Sequence, residues 1–174
     1  MAESVDAPDL KSVERKVRGG SSPPTPIMKL ILENFISDEK CEELISHYIW
    51  NSSFAFKHGD TYPLNTPLVF GVTDRIENIA KSLDPRAKLS LCQIVKWPIH
   101  SKMNQHLDPE GDLFAVIVYL NDNYIGGETC FEGDPVCKPE TGKLIMFSNC
   151  EIPHSVNEVV EGTRYTLALW FVRD

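Results

Sequence analysis

Residues 105–121 read QHLDPEGDLFAVIVYLN and join a His-x-Asp pair to an eight-residue apolar run. The run at 113–120 is rich in β-branched and aromatic residues, which is typical of a buried strand. Side chains on a strand alternate between its two faces, so His106 and Asp108 on one strand would point to the same side. The stretch therefore predicts a β fold that holds two metal-ligand side chains together.

A second histidine and an arginine extend this pattern downstream. His154 lies in the sequence Ile-Pro-His-Ser-Val, and Arg164 follows ten residues later. Two histidines and one carboxylate form the set that holds non-haem Fe(II) with open positions. We expect His106, Asp108 and His154 to be both the metal ligands and the catalytic centre. Arg164 offers an always-charged guanidinium of the kind that binds a carboxylate through two hydrogen bonds.

The remaining pattern after Pro85 consists of short β runs. They are separated by clusters of Gly, Pro, Asn and Asp, which favours a sandwich or jelly roll over alternating βαβ units. We predict a mainly β protein, a double-stranded β-helix or cupin-like jelly roll. Its strands are expected at residues 89–97, 113–120, 129–132, 143–148, 155–160 and 164–172.

N-terminal helices are expected to flank this jelly roll. Residues 28–35 are predicted to form a first strand, and Ser37 is placed to cap a helix that runs to about Trp50. A second helix is predicted at 74–83, and both helices should cover the outside of a sheet. Residues 1–26 are polar and rich in Gly, Ser and Pro, which predicts a flexible tail. The folded domain is then expected at 27–174.

Composition restricts the class of protein. A chain of 174 residues with 42% hydrophobic residues fits one domain, and a net charge of −8 without a basic stripe argues against nucleic acid as a partner. Five cysteines without Cys-x-x-Cys spacing predict neither a disulfide framework nor a zinc knuckle, and favour a reducing cytosol. No long apolar run or signal peptide is evident, so we expect a cytoplasmic protein without a membrane partner.

Taken in order, the motifs resemble the Fe(II)/2-oxoglutarate-dependent dioxygenases, most closely the prolyl 4-hydroxylase-like branch. The resemblance covers about residues 29–174 and rests on the His-x-Asp pair, the Gly126-Gly127-Glu128-Thr129 turn, the strand at 142–147, His154 and Arg164. It implies Fe(II), 2-oxoglutarate and O2, with ascorbate as a supporting reductant. It also implies oxidative decarboxylation of 2-oxoglutarate to succinate and CO2, coupled to hydroxylation of a substrate C–H bond.

The resemblance also assigns the residues that hold 2-oxoglutarate. Arg164 matches the basic residue for the 5-carboxylate, a position where many prolyl 4-hydroxylases have lysine, and Tyr119 matches a tyrosine that shares this carboxylate. Trp97 stands where the family usually has a tyrosine, and an indole can donate a hydrogen bond but not accept one. By the period of two, Thr166 and Trp170 lie on the face of Arg164 and are predicted to add a hydroxyl and a pocket wall.

Substrate choice is predicted to depend on the long polar segment at 52–70. Loops of this length are often functional, and relatives use the region to cover the substrate, so Lys57 and Tyr62 are candidate substrate-loop residues. We interpret the Gly126-Gly127-Glu128-Thr129 turn as structural, because its glycines suit positive φ.

The expected activity is hydroxylation of a prolyl residue in a peptide or protein. Relatives that halogenate lack the carboxylate ligand, so Asp108 favours hydroxylation. Two alternatives stay open at this point. One is an oxygenase that acts on a free amino acid, a small metabolite or an alkylated base, and the other is a non-catalytic binding module or a zinc-loaded jelly roll.

Overall fold

The computed structural model describes residues 13–16, 27–52, 61–63, 67–109, 111–134 and 136–174. Strands predominate in this part of the chain. The helices are α1 (Asp38–Ser52) and α2 (Pro67–Leu83), and the strands are β1 (Val13–Lys16), β2 (Ile27–Leu32), β3 (Thr61–Pro63), β4 (Ala87–Trp97), β5 (Met103–His106), β6 (Asp112–Tyr119), β7 (Ile125–Gly126), β8 (Thr129–Phe131), β9 (Leu144–Ser148), β10 (His154–Val156), β11 (Val159–Glu161) and β12 (Arg164–Arg173).

The strands form one large sheet and two small ones. The large sheet has the order β1-β2-β9-β6-β12-β4-β3, a three-stranded sheet has the order β5-β10-β8, and β11 pairs with β7. All of these pairings are antiparallel, and between β2 and β4 of the large sheet no two neighbouring strands are consecutive in sequence. The predicted mainly β jelly roll with N-terminal helices is confirmed.

The large sheet buries a different apolar cluster on each face, as strand alternation requires. One face packs on the two helices, with Phe114, Val116 and Val118 of β6 pointing there. The other face packs on the three-stranded sheet. The buried members of this second cluster are Ala115, Tyr119, Phe131, Cys137, Ile145 and Phe147. The face that carries Tyr119 is therefore the face from which a site can be built.

Helix α1 begins where the capping pattern predicts. The backbone N–H of Lys40 donates to Ser37 Oγ at 3.3 Å, and the acidic Asp38 and Glu39 occupy the first turn near the positive end of the helix dipole. Leu44 and Tyr48 are buried against the sheet. The cap and the apolar face together fix the position of this helix on the outer face of the sheet.

Helix α2 begins at Pro67, seven residues before the predicted position. Proline is tolerated in the first turn, where its missing N–H is not needed, and Val69 and Val72 continue the buried face of Ile76. The predicted loop at 52–70 is therefore shorter, because β3 and the first turn of α2 occupy part of it. The other residues of this segment, 53–60 and 64–66, lie outside the described residues.

One further boundary differs from the predicted one. The run at 155–160 is two strands, because Asn157 turns towards Glu128: its backbone N–H donates to the Glu128 carbonyl at 2.9 Å. In the predicted tail, β1 pairs with β2, while residues 1–12 and 17–26 lie outside the described residues. The division at residue 26 stays a prediction.

Among the described helices, none has the length and hydropathy needed to span a membrane.

Candidate metal centre and carboxylate pocket

The two histidines and the aspartate predicted as metal ligands lie together. The ligand atoms of His106, Asp108 and His154 are all within 4.8 Å of one another. His106 ends β5 and His154 begins β10, and the two residues are directly paired across these strands. The prediction that His106 and Asp108 lie on one strand is wrong in one respect. Asp108 lies two residues beyond the end of β5. Leu107 between them is half exposed, so the alternation of side chains continues past the strand.

The ring orientation of both histidines suits metal binding. His106 Nδ1 lies 2.9 Å from the carbonyl oxygen of Asn104, and His154 Nδ1 lies 3.0 Å from that of Ile152. A carbonyl can only accept, so each Nδ1 is the donor and each neutral ring presents the lone pair of Nε2. These Nε2 atoms lie 3.3 Å and 3.8 Å from the carboxylate oxygens of Asp108. Burial lowers the pKa of His154, which favours its neutral, ligating form.

Trp170 orients the carboxylate of this centre. Its indole Nε1 donates to Asp108 Oδ2 at 3.3 Å. Sequence spacing predicted a pocket wall at this position, and the structure adds a hydrogen bond to a candidate ligand. Partners of this kind fix the direction of a metal-binding group.

We expect Trp170→Phe to weaken Fe(II) binding and turnover by about ten- to a hundredfold, the range found when outer-shell partners of metal ligands are removed. The phenyl ring keeps much of the packing but has no N–H for Asp108. Metal titration and initial rates would measure the effect. Trp50→Phe, at an indole 72% exposed near the end of α1, is the matched control. Unchanged metal affinity in Trp170→Phe would contradict this role.

Arg164 forms a second, buried pocket on the same face of the sheet. The residue is only 1% exposed, and its Nη2 donates to Thr129 Oγ1 at 3.2 Å. Its Nε and Nη1 are buried and have no hydrogen-bond partner among the described residues. The guanidinium carbon lies 4.9 Å from the ring centre of Trp97 and 5.4 Å from that of Tyr119. A buried cation with two unused donor atoms fits a carboxylate ligand.

Thr129 is a pocket residue that no sequence motif indicates. Its Oγ1 accepts from Arg164 and also from the Tyr119 hydroxyl, at 2.8 Å, so its own proton is left for a further acceptor. The Tyr119 hydroxyl donates to Thr129 Oγ1 in this structure, and its predicted contact with the carboxylate stays a prediction. The turn that was interpreted as structural has positive φ at Gly126 and Gly127, and it delivers Thr129 to the pocket.

The other predicted pocket residues are placed by the register of the large sheet. Trp97 of β4 is paired with Arg164, and its Nε1 is buried without a partner in the described part of the chain. Thr166 is buried on the face of Arg164, opposite Tyr119. Of the two substrate-loop residues, Tyr62 lies on β3 opposite Ile94 of β4, and Lys57 lies outside the described residues.

A search with family models matches residues 92–172 to the 2OG-Fe(II) oxygenase superfamily. The matched range contains both histidines, the aspartate and Arg164 of the site described above. A search by sequence among curated proteins gives no match.

Solved prolyl hydroxylases share the fold at low sequence identity. The viral collagen prolyl hydroxylase of Paramecium Bursaria Chlorella virus-1, in complex with 2OG, superposes with a TM-score of 0.71 at 18% identity, over 84% of this chain and 96% of that chain. A Pseudomonas putida prolyl-4-hydroxylase gives 0.68 at 16% identity, over 84% and 92%. A Trichoplax adhaerens prolyl hydroxylase, in complex with a hypoxia inducible factor peptide fragment, gives 0.70 at 17% identity, over 83% of each chain.

Proposed function

We propose that this chain is a 2OG-Fe(II) oxygenase, as the match of residues 92–172 to that superfamily supports, and that it hydroxylates a prolyl residue within a peptide or flexible protein segment. The observation that carries the proposal is the pairing of two sites on one face of the sheet. One is a His-Asp-His cluster with both Nε2 lone pairs free for a metal, and the other is a buried arginine with two unused donor atoms. Fe(II) and a dicarboxylic 2-oxo acid need these two sites.

The residues present fit the group that the family uses. His106, Asp108 and His154 would hold Fe(II), and Arg164 with Thr129 would hold the distal carboxylate of 2-oxoglutarate. When bound, the iron and 2-oxoglutarate supply oxidative decarboxylation with O2, coupled to insertion of oxygen into a C–H bond. Asp108 keeps a carboxylate at the third ligand position, and this supports hydroxylation as the outcome.

Aromatic residues pack against the ring of His154, fix its orientation and exclude water from that side of the metal centre. Phe147 packs edge-on against His154 with ring centres 4.7 Å apart, and Phe131 packs against Phe147 at 5.0 Å. Among the described residues, the polar neighbours of His154 are the Ile152 carbonyl, Asp108 and the ring of His106, and aromatic rings cover the rest of this side. Such a setting strengthens the electrostatic contacts within the site.

The outer surface beside the metal centre supports an extended peptide as substrate. Met103 is 43% exposed and Leu107 is 50% exposed, and they flank His106 at the edge of the three-stranded sheet. Proline-rich segments are preorganised as extended helices and bind apolar surfaces. The segment between α1 and α2, with Lys57 and Tyr62, remains the proposed cover for such a peptide.

We further propose that the enzyme works in the cytoplasm with ascorbate as reductant. All five cysteines are free thiols, which supports a reducing compartment. Burial raises the pKa of Cys41 to about 11 and that of Cys92 to about 12, so these two thiols resist oxidation at neutral pH.

Incubation with Fe(II), 2-oxoglutarate, ascorbate and a panel of proline-containing peptides is expected to add the mass of one oxygen atom to proline. The matched control replaces the proline of each peptide with alanine, which should leave the peptide mass unchanged. Fragment mass spectrometry would locate the oxygen. If only free amino acids or small metabolites gained oxygen, the prolyl assignment would be wrong and the dioxygenase assignment would stand. Iron binding without any turnover would support a non-catalytic module instead.

A further inference from the structure

Tyr124 has a buried hydroxyl that the proposed chemistry does not yet use. The residue lies just before β7, in the connection that follows β6. Its hydroxyl oxygen is inaccessible to solvent and has no hydrogen-bond partner among the described residues. Buried hydroxyl groups are almost always bonded, so an unpaired one points to a partner that binds there.

The neighbourhood of this hydroxyl is the carboxylate pocket. A methyl group built on Gly127 would lie 3.2 Å from Arg164 Cδ and 3.2 Å from Tyr124 Cε2, so both side chains lie against this glycine. Gly127 has a φ of 65°, and its lack of a side chain leaves the space that they share. Burial raises the pKa of Tyr124, and the nearby guanidinium of Arg164 opposes the rise through its positive charge and its contact with the hydroxyl. The phenol therefore stays protonated at neutral pH and can donate.

The unused donors around Arg164 are sufficient for one carboxylate. Among the described residues, Arg164 Nε, Arg164 Nη1, Trp97 Nε1 and the Tyr124 hydroxyl are all buried and unpaired. An ionised carboxylate has about four acceptor positions on its two oxygens. A surrounding of donors alone would reject a neutral amide, because an amide N–H would find no acceptor.

We propose that Tyr124 is a specificity-determining residue, whose hydroxyl donates a hydrogen bond to the distal carboxylate of 2-oxoglutarate beside Arg164. This inference rests on the proposed role of Arg164 in holding that carboxylate. It adds Tyr124 to Arg164 and Thr129 as a donor to that carboxylate.

The test compares Tyr124→Phe with the unaltered protein, using calorimetry on protein loaded with Mn(II). Two ligands are titrated: 2-oxoglutarate, and 2-oxopentanoate, which has the same carbon chain without the distal carboxylate. Loss of one hydrogen bond to a charged group should raise the Kd of 2-oxoglutarate about tenfold. The Kd of 2-oxopentanoate should be the same for both proteins. In turnover, the KM for 2-oxoglutarate should rise while kcat at saturation is retained.

Tyr165→Phe is the matched control. Tyr165 follows Arg164 on β12 but packs on the opposite face of the sheet, with its ring 5.7 Å from that of Tyr48. Its loss of a hydroxyl should leave both Kd values unchanged. The melting temperature of ligand-free Tyr124→Phe should not fall, because the oxygen removed has no partner in the described residues.

An unchanged Kd for 2-oxoglutarate in Tyr124→Phe would overturn the inference. So would an equal weakening of both ligands, since that would indicate a packing role. These results would leave the proposed function intact. Failure of the unaltered protein to bind 2-oxoglutarate at all would instead overturn the proposed function, and this inference with it.

Discussion

His154→Ala is expected to lower Fe(II)-dependent turnover by more than about a hundredfold. Removing a residue that only hydrogen-bonds to a metal ligand already lowers metal affinity or activity by about ten- to a hundredfold, and removing a ligand should cost more. The substitution removes one of three candidate ligands and leaves a centre of one histidine and one carboxylate. The fold should survive, since the apolar clusters on the two faces of the large sheet do not depend on this imidazole. Initial rates of succinate release, with a thermal melt of each protein, would measure both effects.

His100→Ala is the control for this substitution. His100 is an exposed histidine whose Nδ1 lies 2.9 Å from Glu158, and it belongs to neither site. His100→Ala should leave turnover unchanged. This result would show that the loss of activity in His154→Ala is specific to the metal centre. Full activity in His154→Ala, with the protein folded, would contradict the proposed metal centre.

Arg164→Met is expected to raise the KM for 2-oxoglutarate by tenfold or more. The guanidinium would make charge-assisted hydrogen bonds to the distal carboxylate, and each such bond contributes roughly 1.5–3 kcal/mol. Methionine removes the charge but keeps much of the volume between the rings of Trp97 and Tyr119. Metal affinity should persist, because the ligands lie on β5, on β10 and in the segment after β5. Arg164→Lys should be intermediate, since it keeps the charge and loses the paired geometry.

The stability of Arg164→Met provides a second readout. In the ligand-free protein, two guanidinium nitrogens are buried without a partner among the described residues, which lowers stability. The variant should therefore melt at the same temperature as the unaltered protein, or higher. Adding 2-oxoglutarate should raise the melting temperature of the unaltered protein much more than that of the variant. Equal stabilisation of both proteins by 2-oxoglutarate would show that a residue other than Arg164 binds the distal carboxylate.

The candidate metal ligands and Arg164 could be predicted, because they are marked by residue type and by spacing along the sequence. A His-x-Asp pair, a distant histidine and a basic residue ten positions later define the chemistry through residue type and spacing. The main strands follow from apolar runs bounded by turn residues in the same way. The start of α2 was missed because Pro67 and Gly71 are typical of loops, although Val69 and Val72 continue the helical apolar face.

The partners of the polar side chains could not be predicted, because they depend on long-range register. Thr129 meets Arg164 and Tyr119 only because β8 crosses the face of β6 and β12. Trp170 reaches Asp108 across 62 positions of sequence, and spacing alone indicates only the face on which it lies. No sequence motif marks Tyr124. It lies beside Arg164 because the glycine turn places the side chains of Tyr124 and Arg164 against Gly127.

The central claim is that one face of the large sheet holds both Fe(II) and 2-oxoglutarate. The most direct measurement is release of succinate from 2-oxoglutarate by the purified protein, followed with and without Fe(II) and with a chelator. Release is expected to need Fe(II) and O2, to stop with the chelator, and to be lost in both His154→Ala and Arg164→Met at low 2-oxoglutarate. Release that persists in the chelator, or no release with any peptide or small substrate, would contradict it.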